Sequence, residues 1–134
     1  MKNLQDTYKE KILAIIHKSS VQQRKKLLQI FLANFDLNNN KICADIGGIS
    51  EGFEKIGDYC TAIAVNLELR EKVQGWAIII ADARYLPFKD HSIDIVMTNS
   101  MLEHIESNTK RAVDQIKRVS KENICFSSIF IHAV

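Results

Sequence analysis

The chain has 134 residues, of which 46% are hydrophobic and 25% charged, and its formal net charge is +2. This balance is typical of a soluble globular domain and excludes collagen-like, disordered and disulfide-stapled classes of protein. No apolar run approaches the roughly 20 residues that cross a bilayer, and the first residues lack the apolar core of a secretory signal. We therefore expect a single domain over residues 1–134, located in the cytoplasm and without a membrane partner.

The N-terminal segment differs from the rest of the chain in charge. Residues 1–40 contain seven Lys and Arg against three Asp and Glu, whereas the remainder has a net charge of −2. Apolar residues at helical spacing predict two helices here, over 4–17 and 20–35, with Ser20 as the N-cap of the second. A basic segment of this kind leaves nucleic acid open as a partner. We favour the solvated face of an amphipathic helix, because no aromatic residues interleave with the basic stretch.

From residue 41 the pattern changes to short apolar runs separated by connectors. Continuous apolar character predicts strands that are buried on both faces of a sheet. Such strands, with helix-length connectors between them, predict an α/β fold with a doubly wound, mostly parallel sheet of about five strands after the two N-terminal helices. The predicted strands cover residues 42–46, 62–65, 77–81, 93–98 and 124–131.

The three cysteines, Cys43, Cys60 and Cys125, lack the spacing of a metal site. Their number is odd, so any disulfide scheme leaves one of them unpaired. Two of them lie inside apolar runs. We therefore expect reduced, mostly buried thiols and no metal site, as is typical of a reducing compartment.

Polar residues and glycines stand where the first four predicted strands end. In a doubly wound sheet the ligand binds beyond the carboxyl ends of the strands, so these residues are candidates for a binding site. The glycine-rich turn after the first strand lets the backbone approach a ligand closely, although it lacks the full spacing of a dinucleotide-binding turn. The candidates are Asp45, Gly47 and Gly48, then Asn66 and Leu67 with Glu68 nearby, then Asp82 and Ala83, then Asn99 and Ser100.

Four segments give this pattern a specific identity. They are Asp-Ile-Gly-Gly at 45–48, Asp-Ala-Arg-Tyr-Leu-Pro-Phe at 82–88, Ser-Ile-Asp-Ile-Val at 92–96 and Met-Leu-Glu-His-Ile at 101–105. Their order resembles the signature of class I S-adenosylmethionine-dependent methyltransferases, and in particular the broad group with an Asp-Ala…Leu-Pro-Phe segment and a later Leu-Glu-His. The resemblance covers about residues 41–130. It implies a Rossmann-like sheet, with a helix over 106–119 before the fifth strand.

The resemblance implies S-adenosylmethionine as the cofactor and a role for each of the first three strand ends. Gly47 and Gly48 would lie against the methionine part and the sugar. Asn66, with Leu67 after it, takes the position of the family's ribose-binding acid. Asp82 would accept a hydrogen bond from the adenine amino group. The backbone of Ala83 would donate to the ring, and the Leu-Pro-Phe segment would cover one side of the adenine.

The residues around the fourth strand would lie near the reacting end of the cofactor. Asn99 and Ser100 would line the floor of the site near the sulfonium. His104 is a candidate substrate-side residue, and the alternative that we favour is a packing or capping role in the loop. Asp94 stands at the start of the strand, away from the ligand end, which favours a structural role.

The first motif departs from the family pattern Asp-x-Gly-x-Gly-x-Gly. Ile49 and Glu51 stand where the second and third glycines are usual, and Asn66 stands where an acid is usual. A carboxylate accepts from both ribose hydroxyls, whereas an amide keeps one acceptor and adds a donor. We therefore expect Asn66→Asp to tighten cofactor binding. Glu68 is an alternative ribose acceptor if the loop bends back.

The family sheet normally has seven strands, and this chain ends after its fifth. The predicted cofactor-binding core, residues 41–134, therefore lacks the last two family strands, and residues 1–40 form the N-terminal helices. An apolar edge strand that is left open promotes association. We expect a homodimer, and the alternative is that the chain is a fragment of a longer protein.

Three interpretations of function remain. In the first, the chain is an enzyme that transfers a methyl group from S-adenosylmethionine to an unidentified acceptor, for which we favour a small molecule over protein or RNA. Such enzymes act mainly by positioning, so no dedicated catalytic residue is predicted. In the second, it is a cofactor-binding or inactive subunit with a regulatory or scaffold role, which the altered turn and Asn66 favour. The third, another Rossmann-like nucleotide enzyme, leaves the segments 82–88 and 102–104 unexplained.

Overall fold

The computed structural model describes residues 4–50, 52–99 and 101–127 of the chain. Two compact units are present, Met1–Asp36 and Leu37–Val134. The first unit contains one helix, α1 (Leu4–Asn34), so the prediction of two separate helices is wrong. The backbone stays helical through Ser20 because the segment contains neither Gly nor Pro, and an interior serine costs only about 0.5 kcal/mol relative to alanine.

The exposed surface of α1 includes large apolar side chains. Ile12, Leu13 and Ile15 are each more than half exposed. Among the described residues, no helix combines the length and the apolar character needed to cross a membrane.

The second unit is built on a five-stranded parallel sheet, as predicted. Its strands are β1 (Ile42–Ile46), β2 (Thr61–Asn66), β3 (Trp76–Ile80), β4 (Ile93–Asn99) and β5 (Ser120–Ser127). They lie in the order β3-β2-β1-β4-β5, and each neighbouring pair is parallel. The chain crosses to the other side of β1 between β3 and β4. This reversal creates a topological switch point at the carboxyl ends of β1 and β4, where ligands of such sheets bind.

The predicted bounds of the first four strands agree with the observed ones to within one residue at each end. The fifth differs, because it begins at Ser120 and not at residue 124. Ser120 directly follows the preceding helix and pairs with Ile93 at the start of β4. This pairing brings a polar stretch into the sheet, and such a stretch has no apolar run that would predict a strand. The last predicted residues of this strand, 128–131, lie outside the described residues.

The connectors contain less helix than their lengths indicate. In the described part of this unit, α2 (Thr109–Val119) is the one α-helix, and the β1–β2 connector has only a 3-10 turn at Glu54–Asp58. The predicted helix start at 106 is three residues too early. Asn108, the residue before α2, has a left-handed backbone with φ of 57°, which separates the helix from the preceding segment.

One face of α2 packs against the sheet. Ala112, Ile116 and Val119, spaced by four and three residues, are fully buried. They join Val65 and Val96 of the sheet in the hydrophobic core. The buried stripe expected for this helix was Ala112, Val113, Ile116 and Val119. It is confirmed at three of these residues, and Val113 is partly buried against the same core.

The amino ends of the strands have a structural role. The Asp94 carboxylate accepts the backbone N–H of Ile42 at 2.8 Å and pairs with Lys121 at 3.3 Å. Nearby, Cys43 and Cys60 are buried free thiols. The hydrogen bond with Cys60 and burial both raise the pKa of the Cys43 thiol.

The third cysteine, Cys125, has a side chain outside the described part of the structure. Within the described part, no group of three or more His, Cys, Asp and Glu is arranged to hold a metal ion.

Candidate functional site

A cleft of about 410 Å³ opens at the carboxyl ends of the strands. A volume of this size lies in the range of small-molecule binding sites, roughly 300–1,000 Å³. Residues from four strand ends contribute to it, as expected at a switch point. The lining consists of Ile46 and Gly47 at the end of β1, residues 65–70 at the end of β2 and in the loop that follows, residues 81–83 after β3, and Met101, His104 and Ile105 after β4.

The structure brings together most of the residues that the sequence nominated. The predicted residues that line the cleft are Gly47, Asn66, Leu67, Asp82, Ala83 and His104, together with the alternative ribose acceptor Glu68. Asp45 and Gly48 are buried and do not line it. The side chain of Asn99 and all of Ser100 lie outside the described residues. Their assignment to the cofactor stays a prediction.

Seven lining residues were not predicted as site residues: Ile46, Val65, Leu69, Arg70, Ala81, Met101 and Ile105. Ile46, Val65 and Ala81 are the last residues of predicted strands. Met101 and Ile105 flank the Leu-Glu-His segment, so the sequence did contain a signal for them. The sequence contained no signal for Leu69 and Arg70, because their position in the cleft depends on the conformation of the irregular loop after β2.

The Leu-Pro-Phe segment lies elsewhere than expected. Leu86 is a member of the core, and Phe88 packs against that core. No residue of 86–88 lines the cleft. The loop after β3 therefore contributes to the cleft only up to Ala83, and the expected cover of the adenine by this segment is not seen.

The turn after β1 requires its two glycines. Gly47 has a left-handed backbone with φ of +86°, and its N–H donates to the carbonyl of Val65 at 2.7 Å. A Cβ atom at this position would overlap the side chain of Met101, and one at Gly48 would overlap the side chain of Asp45. Glycine therefore gives this turn both its backbone conformation and its close packing.

Asp45 supports the turn from the interior. Its Oδ2 accepts the backbone N–H of Ser50 at 2.8 Å. Burial raises the pKa of this carboxyl, while the hydrogen bonds from Ser50 and the charge of Arg70 act in the opposite direction. Its Oδ1 is buried and has no hydrogen-bond partner among the described residues. Asp45 is thus a structural acid with one buried oxygen that can still accept a hydrogen bond.

Asn66 connects the end of β2 to the same turn. Its side chain is buried, and its Nδ2 donates to the carbonyl oxygen of Gly48. The amide nitrogen is therefore engaged within the protein. The amide oxygen is the group that Asn66 can present to a ligand.

The loop after β3 forms one end of the cleft, and Asp82 lies there. Arg84 holds the carboxylate of Asp82 by hydrogen bonds. Arg84 Nε donates to Oδ1 at 3.0 Å, Arg84 Nη2 donates to Oδ2 at 2.6 Å, and the Arg84 backbone N–H donates to Oδ1 at 2.9 Å. These hydrogen bonds lower the pKa of Asp82, so the carboxyl is ionised at neutral pH. The same guanidinium reaches Ser107, with Nη1 at 3.2 Å from its Oγ and 3.3 Å from its carbonyl oxygen.

The polar face of α2 holds the backbone of the loop that carries Asp82. Arg111, Gln115 and Arg118 follow one another at intervals of four and three residues, so they lie on one side of the helix. Arg111 Nε donates to the carbonyl of Arg84 at 3.1 Å. The side chain of Gln115 accepts a hydrogen bond from the N–H of Leu86 at 3.1 Å, and Arg118 donates to the carbonyl of Leu86 at 2.9 Å. Side chains of α2 therefore hold the loop through hydrogen bonds to its backbone, and these bonds do not depend on the side chains of the loop.

The groups around the cleft fit the cofactor that the sequence predicts. The backbone of Gly47 lines the cleft, and the side chain of Met101 fills the space that a Cβ of residue 47 would take. The carboxylate of Asp82 and the amide oxygen of Asn66 supply acceptors for the amino and hydroxyl donors of an adenosine.

Comparison with known proteins gives the chain a family. Residues 43–125 match the profile described as "Methyltransferase domain". No curated protein sequence gives a significant match. The match begins in β1 and ends in β5, so it includes residues of all five strands.

Solved structures share this fold at low sequence identity. The YcgJ protein of Bacillus subtilis is 23% identical, with a TM-score of 0.58 over 70% of this chain and 45% of its own. A putative S-adenosyl-L-methionine-dependent methyltransferase of Methanococcus maripaludis is 14% identical, with a TM-score of 0.62 over 95% of this chain and 66% of its own. The 4+2 cyclase SpnF is 19% identical, with a TM-score of 0.59 over 72% of this chain and 41% of its own.

The chain is shorter than these relatives in structure, since it spans about half the length of the first ones that it matches. The shared architecture is the Rossmann-like sheet. Together with the profile match over more than half of the sequence, this architecture shows that the chain belongs to the methyltransferase domain family.

Proposed function

We propose that this chain binds S-adenosylmethionine in the cleft and transfers its methyl group to an acceptor. The observation that carries the proposal is that Gly47, Asn66 and Asp82, from three different strand ends, line one cavity. Membership of the methyltransferase domain family supports it. When bound, S-adenosylmethionine supplies a methyl group made electrophilic by the sulfonium.

Asp82 and Ala83 would bind the adenine. The ionised carboxylate of Asp82 accepts a hydrogen bond from the exocyclic amino group, and a charge-assisted bond of this kind is roughly twice as strong as a neutral one. The side chain of Asp82 is 27% exposed, so a ligand can reach it despite the pairing with Arg84. The backbone N–H of Ala83 donates to the ring.

Asn66 and Gly47 would bind the ribose and the methionine part. The amide oxygen of Asn66 accepts from one ribose hydroxyl. Glu68, an exposed acid in the same lining, accepts from the second. The backbone of Gly47 lines the cleft beside Met101 and would lie against the methionine part.

The contribution of the protein to the transfer itself would be positioning. Methyl transfer needs donor and acceptor held in line, and this arrangement does not require a general base. His104 is exposed and lines the cleft in the segment after β4. We propose that it faces the acceptor, and that the acceptor is a small molecule.

The first test is calorimetric titration of the full chain with S-adenosylmethionine and with S-adenosylhomocysteine. We expect a dissociation constant near micromolar, and a loss of about tenfold in Asp82→Asn because a charge-assisted bond becomes a neutral one. Asp114→Asn is the matched control, since it removes the same charge from an exposed residue of α2. Absence of binding at millimolar ligand would overturn the proposal.

The second test is a methyl-transfer assay with pools of candidate acceptors. Binding without transfer to any acceptor would favour the alternative of a cofactor-binding subunit with a regulatory or scaffold role. The fold alone does not establish methyl transfer, because one of its structural relatives is a cyclase.

We further propose a homodimer and a cytoplasmic location. β5 is the outermost described strand on its side of the sheet, and an open edge promotes pairing with a second chain. The free thiols of Cys43 and Cys60 are typical of a reducing compartment. Light scattering at micromolar concentration tests the dimer, and a monodisperse monomer would contradict it.

A further inference from the structure

Arg84 lies outside the lining of the cleft but contacts two of the segments that form it. On one side its guanidinium forms a fork with the carboxylate of Asp82, at 2.6 Å and 3.0 Å. On the other side it reaches the Oγ and carbonyl oxygen of Ser107, in the segment that follows His104 and Ile105. One side chain therefore joins the loop after β3 to the segment after β4.

The fork also limits what Asp82 can accept. A carboxylate has about four acceptor positions. Arg84 donates three hydrogens to the Asp82 carboxylate: its backbone N–H to Oδ1, its Nη2–H to Oδ2, and its Nε–H to both oxygens, at 3.0 Å from Oδ1 and 3.2 Å from Oδ2. Because the Nε–H is shared and lies farther from Oδ2, the acceptor position that is least engaged is on Oδ2. That position suits a single N–H donor, as an amino-substituted purine presents, and it opposes a carbonyl oxygen at the same place.

We propose that Arg84 is a positioning residue of the cofactor site, which holds Asp82 so that Oδ2 meets the amino group of an adenine base. This inference rests on the proposed function, because it requires an adenosine-containing ligand. Arg84 itself makes no contact with the ligand. Its effect on binding passes through Asp82, and its own position is held by Ser107.

The local charges are compatible with this role. The hydrogen bonds and the charge of Asp82 raise the pKa of Arg84, so the guanidinium stays protonated. Asp82 shares the cleft with Glu68, Arg70 and His104. Among the groups that act on Asp82, the hydrogen bonds and charge of Arg84 are those that lower its pKa.

The test is calorimetric titration with S-adenosylhomocysteine, which lacks the sulfonium charge, so that the loss of an arginine does not act on the ligand directly. We expect Arg84→Gln to weaken binding about tenfold, and Arg84→Lys to recover part of the loss because it restores a charged donor. Lys89→Gln, an exposed lysine of the same loop, is the charge-matched control and should stay within about twofold. Circular dichroism verifies that each variant is folded.

A double-mutant cycle with Asp82→Asn separates a positioning role from a general structural one. If Arg84 acts through Asp82, Arg84→Gln in the Asp82→Asn background changes the affinity by less than about twofold. A full, additive loss in that background would overturn the inference. So would an Arg84→Gln affinity equal to that of Lys89→Gln.

The pH profile of binding gives an independent readout. Arg84 lowers the pKa of Asp82, so in Arg84→Gln the Asp82 carboxyl should protonate at a higher pH. As the pH is lowered, ligand binding by Arg84→Gln should therefore be lost at a higher pH than ligand binding by the unsubstituted chain. Identical acid limbs would overturn the inference. If the original chain does not bind S-adenosylhomocysteine at all, it is the proposed function that fails. If the unsubstituted chain binds and the Arg84 variants bind as tightly as Lys89→Gln, the proposed function stands and the positioning role of Arg84 is wrong.

Discussion

The side-chain Nδ2 of Asn66 donates a hydrogen bond to the carbonyl oxygen of Gly48, joining the end of β2 to the turn after β1. Both residues are buried. The amide at position 66 therefore has a structural function that a carboxylate cannot perform, because the bond needs a donor. This relationship explains how the chain tolerates an asparagine where its family usually has an acid.

Asn66→Asp is predicted to destabilise the protein. The substitution places a carboxylate oxygen against the Gly48 carbonyl, so two buried acceptors face each other without a donor. We expect the free energy of unfolding to fall by about 1–3 kcal/mol and the affinity for S-adenosylhomocysteine to fall with it. This reverses the expectation from sequence that an acid would tighten binding. Urea unfolding and calorimetry measure the two effects.

Asn40→Asp is the control for this change, since Asn40 is exposed in the loop before β1. It introduces the same charge and should leave both quantities nearly unchanged. If Asn66→Asp binds the ligand more tightly and is as stable as the unsubstituted chain, the hydrogen bond from the Asn66 side chain to Gly48 is not important for either property.

Gly47→Ala is predicted to weaken cofactor binding and stability together. The residue has φ of +86°, where an L side chain is strained, and its new Cβ would overlap the side chain of Met101. We expect a loss of about 1–2 kcal/mol in the free energy of unfolding. The double variant with Met101→Ala relieves the overlap but not the backbone strain, so it should recover only part of the stability. Full recovery would show that the backbone conformation has no cost.

The sheet was predictable from sequence because its signal is local. Strands buried on both faces are continuous apolar runs, and the run at 42–46 coincides with β1. The helix stripe at Ala112, Ile116 and Val119 is equally local, since its spacing alone identifies it. Residues at strand ends could be nominated for the same reason, once a parallel sheet was inferred.

The features that sequence did not predict depend on contacts between distant residues. β5 begins at Ser120 because that residue pairs with Ile93, and nothing in its polar sequence indicates a strand. The hydrogen bonds that Leu86 forms with Gln115 and Arg118 join residues about 30 positions apart. Leu86 was expected over the adenine, but these bonds and the core hold it under α2. Local patterns carry no information on such pairs.

Arg118→Met is predicted to loosen the loop that carries Asp82. Arg118 donates to the carbonyls of Leu86 at 2.9 Å and Phe88 at 2.7 Å, so the variant leaves two partly buried carbonyl oxygens without these bonds. We expect a fall of about 1–3 kcal/mol in the free energy of unfolding, and faster amide hydrogen exchange in residues 84–90. Lys117→Met, at the neighbouring exposed position of α2, is the control. Equal exchange rates in the two variants would contradict the proposed support of the loop.

Asp94→Asn is predicted to lower stability at neutral pH but not in acid. The hydrogen bond from Ile42, together with Lys121, lowers the pKa of Asp94 in the folded protein. A carboxyl with a lowered pKa stabilises the fold above its unfolded pKa, and this contribution is lost as the pH falls through its folded pKa. Asparagine still accepts the N–H of Ile42 but cannot pair with Lys121. We therefore expect a loss of about 1 kcal/mol at neutral pH that disappears in acid, once the pH has fallen through the folded pKa of Asp94. Urea unfolding at both pH values measures it, with the exposed Asp114→Asn as control, and an equal loss at both would show that charge at Asp94 does not contribute.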